Sequence, residues 1–156
     1  MTSALVANVE LVNAMTFRAT TASGHDVVMD SSPDVGGTES GATPMELLMA
    51  ALGGCTGMDV ISILRKMRQD VTNYEVRVSG ERATEHPRIF TNIQVEHVLQ
   101  GRSLRVDSVK RAVELSATRY CPAAAMLGSA ARINNSYRVI DQQTGEEQVG
   151  TLTPAA

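Results

Sequence analysis

The chain has 156 residues, of which 43% are apolar and 20% charged, with a formal charge of −3. That is enough polypeptide for one domain with its own core, and it carries no electrostatic footprint for nucleic acid. Eight methionines, no tryptophan and 3% aromatic residues leave the interior to thioethers and branched aliphatics and argue against stacking on nucleobases. The apolar runs are all shorter than the roughly 18 residues a membrane span needs, and the opening "MTSALVANVELVNAM" lacks a basic region, so no membrane association is expected and a cytoplasmic location is.

Residues 4–30 carry Val, Thr and Phe in rough alternation, interrupted by the turn signal "SGHD", and read as antiparallel strands. The Ser/Gly/Pro/Asp-rich "SSPDVGGTESGAT" that follows has no apolar periodicity and reads as a mobile or ligand-covering loop. With the strands it forms segment 1–42. A central helix is expected over 43–69, with Thr43 as N-cap, Pro44 in the first helical position and Glu46 completing a capping box. Leu47, Leu48, Ala51, Leu52, Cys55, Met58, Ile61, Leu64 and Met67 recur at spacings of three and four, and the stripe is wide enough that the helix is expected to be buried nearly all round. Gly53 and Gly54 in its middle imply a kink or a close approach by a neighbouring backbone.

Segment 73–141 begins with two alternating runs, "NYEVRVSGERA" and "RIFTNIQVEHVLQG", which read as a hairpin. A helix follows with Val109, Ala112, Val113 and Ser116 on one face beneath an Asp107 cap, then a break at Tyr120, a short Ala-rich helix behind Pro122, and a last strand. Residues 142–156 have little to bury, and "GTLTPAA" is expected to fray. One domain of α+β class emerges, with helices packed on antiparallel sheet.

The chain has two cysteines, too few for a disulfide framework, so in a reducing compartment each is either an inert core atom or redox chemistry. Cys121 directly precedes Pro122 and falls at a helix N-terminus, where the dipole favours a thiolate; it is equally readable as a buried thiol occupying a cap. Cys55, among Ala51, Leu52, Met58 and Asp59, reads as core when taken alone. Asp59 would oppose a thiolate there, or sits as a solvated or salt-bridged helix position. His25, His86 and His97 show no metal-ligand spacing, and neither a phosphate-binding loop nor a serine nucleophile elbow is present, so no metal or cofactor is expected.

"GATPMELLMAALGGCTGMDVISILRKMRQD", "HPRIFTNIQVEHVLQG" and "AVELSATRYCPAAAML" together resemble the OsmC/Ohr family, in particular its YhfA-like branch. The resemblance implies an OsmC-like fold in which antiparallel sheets pack on a long buried central helix, and an intertwined homodimer with two sites at the subunit interface. It also implies reduction of organic hydroperoxides by two cysteines, with Cys55 peroxidatic, Cys121 resolving, and a thiol reductant as electron donor. Peroxidatic relatives place a glutamate directly after the helix-opening proline, where it orients an activating arginine. Here that position is Met45, and Glu46 comes one residue later, turned by about 100° around the helix. Arg18 is the candidate arginine. Retention of the pocket without efficient turnover, in a dimer that binds a small apolar or electrophilic ligand, is the alternative that Met45 supports.

Overall fold

The computed structural model describes residues 4–153, and the chain divides into two compact units, one ending at Leu48 and one beginning at Met49.

The first unit is a three-stranded antiparallel sheet of β1 (Ala7–Asn13), β2 (Thr16–Thr21) and β3 (Asp26–Met29) in the order β1-β2-β3. The region before the "SGHD" turn thus holds two strands, because the chain reverses at Ala14 with φ 47°, a position with neither the Gly nor the Pro that usually announces such a turn. The following loop, expected to be mobile, is tied down by Asp30. That carboxylate is buried and accepts from the Thr16, Thr38 and Ser40 hydroxyls and from the backbone N–H groups of Ser31, Thr38 and Ser40. The Ser40 and Thr38 hydroxyls lead the contacts that hold it well below the usual carboxylate range. So many donors convert a loop-like composition into fixed structure.

Helix α1 (Pro44–Lys66) starts with the expected capping box. Thr43 Oγ1 accepts from the Glu46 N–H at 3.3 Å, and Glu46 Oε2 accepts from the Thr43 N–H at 2.7 Å. By length and composition α1 is apolar enough to cross a membrane, and 28% of its most apolar stretch is buried.

In the second unit, β4 (Asp70–Arg82), β5 (Phe90–Arg102), β6 (Arg132–Asp141) and β7 (Glu147–Thr151) form one sheet in sequence order. The β4–β5 hairpin is antiparallel as expected, but β5 and β6 run parallel. The connection between them holds α2 (Val106–Leu115), a π-helical turn (Ser116–Tyr120) and α3 (Pro122–Gly128), a crossover long enough to return the chain in the same direction. β7 lies in the segment expected to have little to bury, where it pairs antiparallel with β6; the fraying expected of Pro154–Ala156 lies outside the described residues.

One face of this sheet, with Tyr74, Val76 and Val78 of β4 and Ile93, Val95, His97 and Leu99 of β5, turns inward. Val60 and Leu64 of α1 meet Val109, Ala112 and Val113 of α2, Leu99, Tyr137 and Val139 in a continuous core. The α2 face read from its spacing is therefore the buried one, although Arg105 rather than Asp107 is the N-cap residue and no side chain caps it. The opposite sheet face carries ion pairs linking Glu75, Arg77, Glu96, Arg138 and Glu147.

Helix α1 departs from expectation in its burial. Leu52, Gly53, Thr56, Val60 and Leu64 are buried, a stripe of four-residue steps, while Ala51 and Gly54 are exposed and Met58 is 74% exposed. The expected close approach is at Gly53, where an added Cβ would meet Val78 Cγ2 at 3.1 Å, and not at Gly54, which faces open space. β-branched side chains of β4, rather than a backbone, come near the helix.

Candidate functional site

The two cysteines lie far apart in sequence and come together in the second unit. Cys55 is half-buried on α1. Cys121 is 4% exposed and is the N-cap of α3, its Sγ accepting from the Ala124 N–H at 3.3 Å. Cys55 is the thiol that neighbours Cys121. Both are free thiols.

Cys121 is placed by the segment before it. After Leu115 the helix widens into the π-helical turn Ser116–Tyr120, and the Cys121 N–H donates to the Ser116 carbonyl at 3.0 Å. Pro122 cannot donate and opens α3, leaving Cys121 extended between two helical pieces. Fully buried Ser116 donates its hydroxyl proton to Asp59 Oδ2 at 3.1 Å. Since that proton is committed, Thr56 donates to Ser116 Oγ across the 2.7 Å between them. The chain Thr56–Ser116–Asp59 thus joins α1 to the π-helical turn at the helix positions immediately after Cys55 and one turn beyond it.

Of the two readings of Cys121, the structure shows the buried thiol in a cap rather than a thiolate favoured by the helix dipole. Burial outweighs it: the thiol is pushed up to about 11, chiefly by desolvation, with the neighbouring Cys55 and the Asp59 charge acting the same way and only the Ala124 N–H opposing. A seven-residue helix has too little aligned dipole to offset removal from water.

Asp59 is half-buried and, among the described residues, is not salt-bridged; it accepts from Ser116 and neighbours Cys121. On another side it faces Tyr74 of β4, whose phenol is held above its ordinary value by burial and by that charge. Tyr74 Oη and His97 Nδ1 are hydrogen-bonded at 2.6 Å, and the rings stack with centroids 6.0 Å apart. His97 is fully buried, with Nε2 unpartnered. Its strand position was legible, but its inward face was visible only in the alternation of Ile93, Val95 and Leu99 around it.

The remaining candidates lie in the first unit. Arg18 is an exposed β2 residue opposite Glu10 and Val28. The Glu46 carboxylate is engaged by Thr43, whose N–H and hydroxyl donate to it and hold it below its ordinary range. Met45 is half-buried. Among the described residues, no group of three or more His, Cys, Asp or Glu side chains is placed to hold a metal ion.

A family model described as OsmC-like protein matches residues 37–136. Protein YhfA of Escherichia coli strain K12 is 43% identical over 134 residues, covering 86% of this chain and 97% of its own. A hypothetical protein from Aquifex aeolicus VF5 superposes with a TM-score of 0.80 at 29% identity, over 91% of this chain and all of its own (100%). An organic hydroperoxide resistance protein OsmC from Legionella pneumophila superposes at 0.67 with 12% identity, over 86% of this chain and 96% of its own; that likeness is one of fold.

Proposed function

The chain belongs to the OsmC-like protein family, and from that premise we propose that it is a cytoplasmic homodimer that reduces organic hydroperoxides through Cys55 and Cys121. The observation that carries this reading is that two free thiols from distant parts of the chain are neighbours. In the reaction the Cys55 thiolate attacks the peroxide oxygen; the O–O bond breaks, an alcohol leaves with a proton, and Cys55 becomes a sulfenic acid. Cys121 then attacks that sulfur, forming the S–S bond and releasing water, and an external thiol reductant restores both groups.

The dimer is supported by the bare face of α1. Ala51, Gly54 and Met58 stand exposed on a long, largely apolar helix, and a second copy laid on that face would take it out of water.

A second reading is favoured by Glu46, whose carboxylate is held in the helix cap while Met45 stands beside the proline: a dimer that binds a small apolar or electrophilic ligand with little turnover. One measurement separates them. The protein is exposed to stoichiometric cumene hydroperoxide and its intact mass read without reductant. Loss of two hydrogens, abolished by Cys55→Ser and by Cys121→Ser, is expected; thiols unchanged after long exposure would leave the ligand-binding dimer.

A further inference from the structure

We propose that Asp59 is a positioning residue of the two-cysteine reaction: through Ser116 and Thr56 it holds the π-helical turn that carries Cys121 against α1, and it sets a carboxylate beside that turn. The proposal rests on Cys121 being the resolving thiol, and it assigns the order of events to a residue on the same helix as the attacking one.

The geometry is a closed circuit. Asp59 accepts from Ser116, Ser116 accepts from Thr56, and the Ser116 carbonyl accepts from the Cys121 N–H. Thr56 and Ser116 are buried, so their hydroxyls have no water to exchange with, and loss of any member leaves a buried polar group unpaired. The circuit begins and ends beside a cysteine. Cys55 precedes Thr56 in the chain and lies one turn before Asp59, so the two sulfurs and the carboxylate share one side of the helix.

The charged and titratable groups around Cys121 are few. From α1 it faces Cys55 and Asp59. From its own segment, Arg119 lies over the Tyr120 ring at 5.5 Å. Asp59 faces Tyr74 of β4, which is bonded to His97 of β5. A carboxylate is thus the charge set against Cys121 from α1, and burial and that charge act in the same direction.

A resolving thiol benefits from this arrangement. A Cys121 thiolate present before the sulfenic acid would compete for hydroperoxide and be oxidised itself. As a thiol it waits, and once Cys55 carries the sulfenic oxygen the S–H and S–O bonds break, the S–S bond forms, and the proton leaves with that oxygen as water. Cys121 is the reductant in the step and the already oxidised Cys55 the acceptor, so no further reagent enters.

The test uses the full chain with Cys55→Ser, leaving Cys121 as the sole thiol. Alkylation by iodoacetamide is followed by intact mass from neutral to mildly alkaline pH, where the thiolate is the minor form, and each variant's rate is compared directly with that of Cys55→Ser alone at the same pH. Asp59→Asn is expected to move the profile to lower pH by about half a unit or more, roughly a threefold rise in rate. Asp59→Glu should restore it, and Ser116→Ala, which keeps the carboxylate, should not lower it. If Asp59→Asn loses its fold by circular dichroism, uncharged Asp59→Ser gives the same reading. A profile unmoved by loss of the charge, or one moved alike by Asp59→Asn and Ser116→Ala, overturns the proposal, since simple loosening would act equally in both. No hydroperoxide is used, so a failure of the peroxidase reading and a failure of Asp59's role appear in different experiments.

Discussion

Tyr74 and His97, on neighbouring strands of the second sheet, are joined by a 2.6 Å hydrogen bond beneath a helix face that also carries Asp59. Burial lowers His97 from 6.5 to about 4, so the folded chain holds a neutral ring over a range in which the unfolded chain takes up a proton. Stability from this source is full above about pH 6.5, falls as pH drops towards about 4, and is then exhausted. The span amounts to about 3 kcal/mol. Denaturant unfolding in that range should show this slope, and His97→Phe should flatten it; an identical slope in the variant would mean that other groups govern acid unfolding.

The capping box makes a separate prediction for Glu46. Thr43→Ala removes the acceptor for the Glu46 N–H and is expected to cost about 1 kcal/mol. Glu46→Gln keeps an acceptor facing Thr43 and should leave the rate of disulfide formation between the cysteines unchanged. A loss of that rate with the fold intact would return Glu46 to the reacting centre.

Asp30 governs the loop that follows it. Its carboxyl is lowered by hydroxyl and backbone donors, so its contribution is complete above the ordinary carboxyl range near about 4 and is lost as pH falls below it. Asp30→Asn, which cannot accept from all of these donors, should lower the melting temperature and speed proteolysis between Ser31 and Thr43. Unchanged cleavage there would mean that the loop is held by other contacts.

If a second copy covers the bare face of α1, a charge placed on it should separate the subunits. Met58→Glu is expected to reduce the mass measured by light scattering to that of one chain without loss of helical circular dichroism, and dimers persisting at micromolar concentration would place the interface elsewhere.

The sequence was most informative where a side chain has one dominant partner. The Thr43–Glu46 box, the inward face of α2 and the cap position of Cys121 all follow from local chemistry, and all are present. Apolar composition alone says little about direction: the face through Ala51 and Met58 is uncharged like the buried one through Leu52, Val60 and Leu64, and packing within the second unit decides between them. The parallel pairing of β6 with β5 depends on long-range register, which alternation cannot encode, whereas β7 is a local hairpin on β6 whose short apolar content hid it. The choice between the two readings of Cys121 was not legible, because position shows a dipole but not the depth of burial.

The parallel ladder between β5 and β6 also orders assembly in time. The crossover bearing Cys121 is fixed only when Arg132–Asp141 docks beside β5, and a pairing across so much sequence forms late. Cys55 is synthesised 66 residues before Cys121, so a bond between the two would report that the crossover and β6 have reached their places.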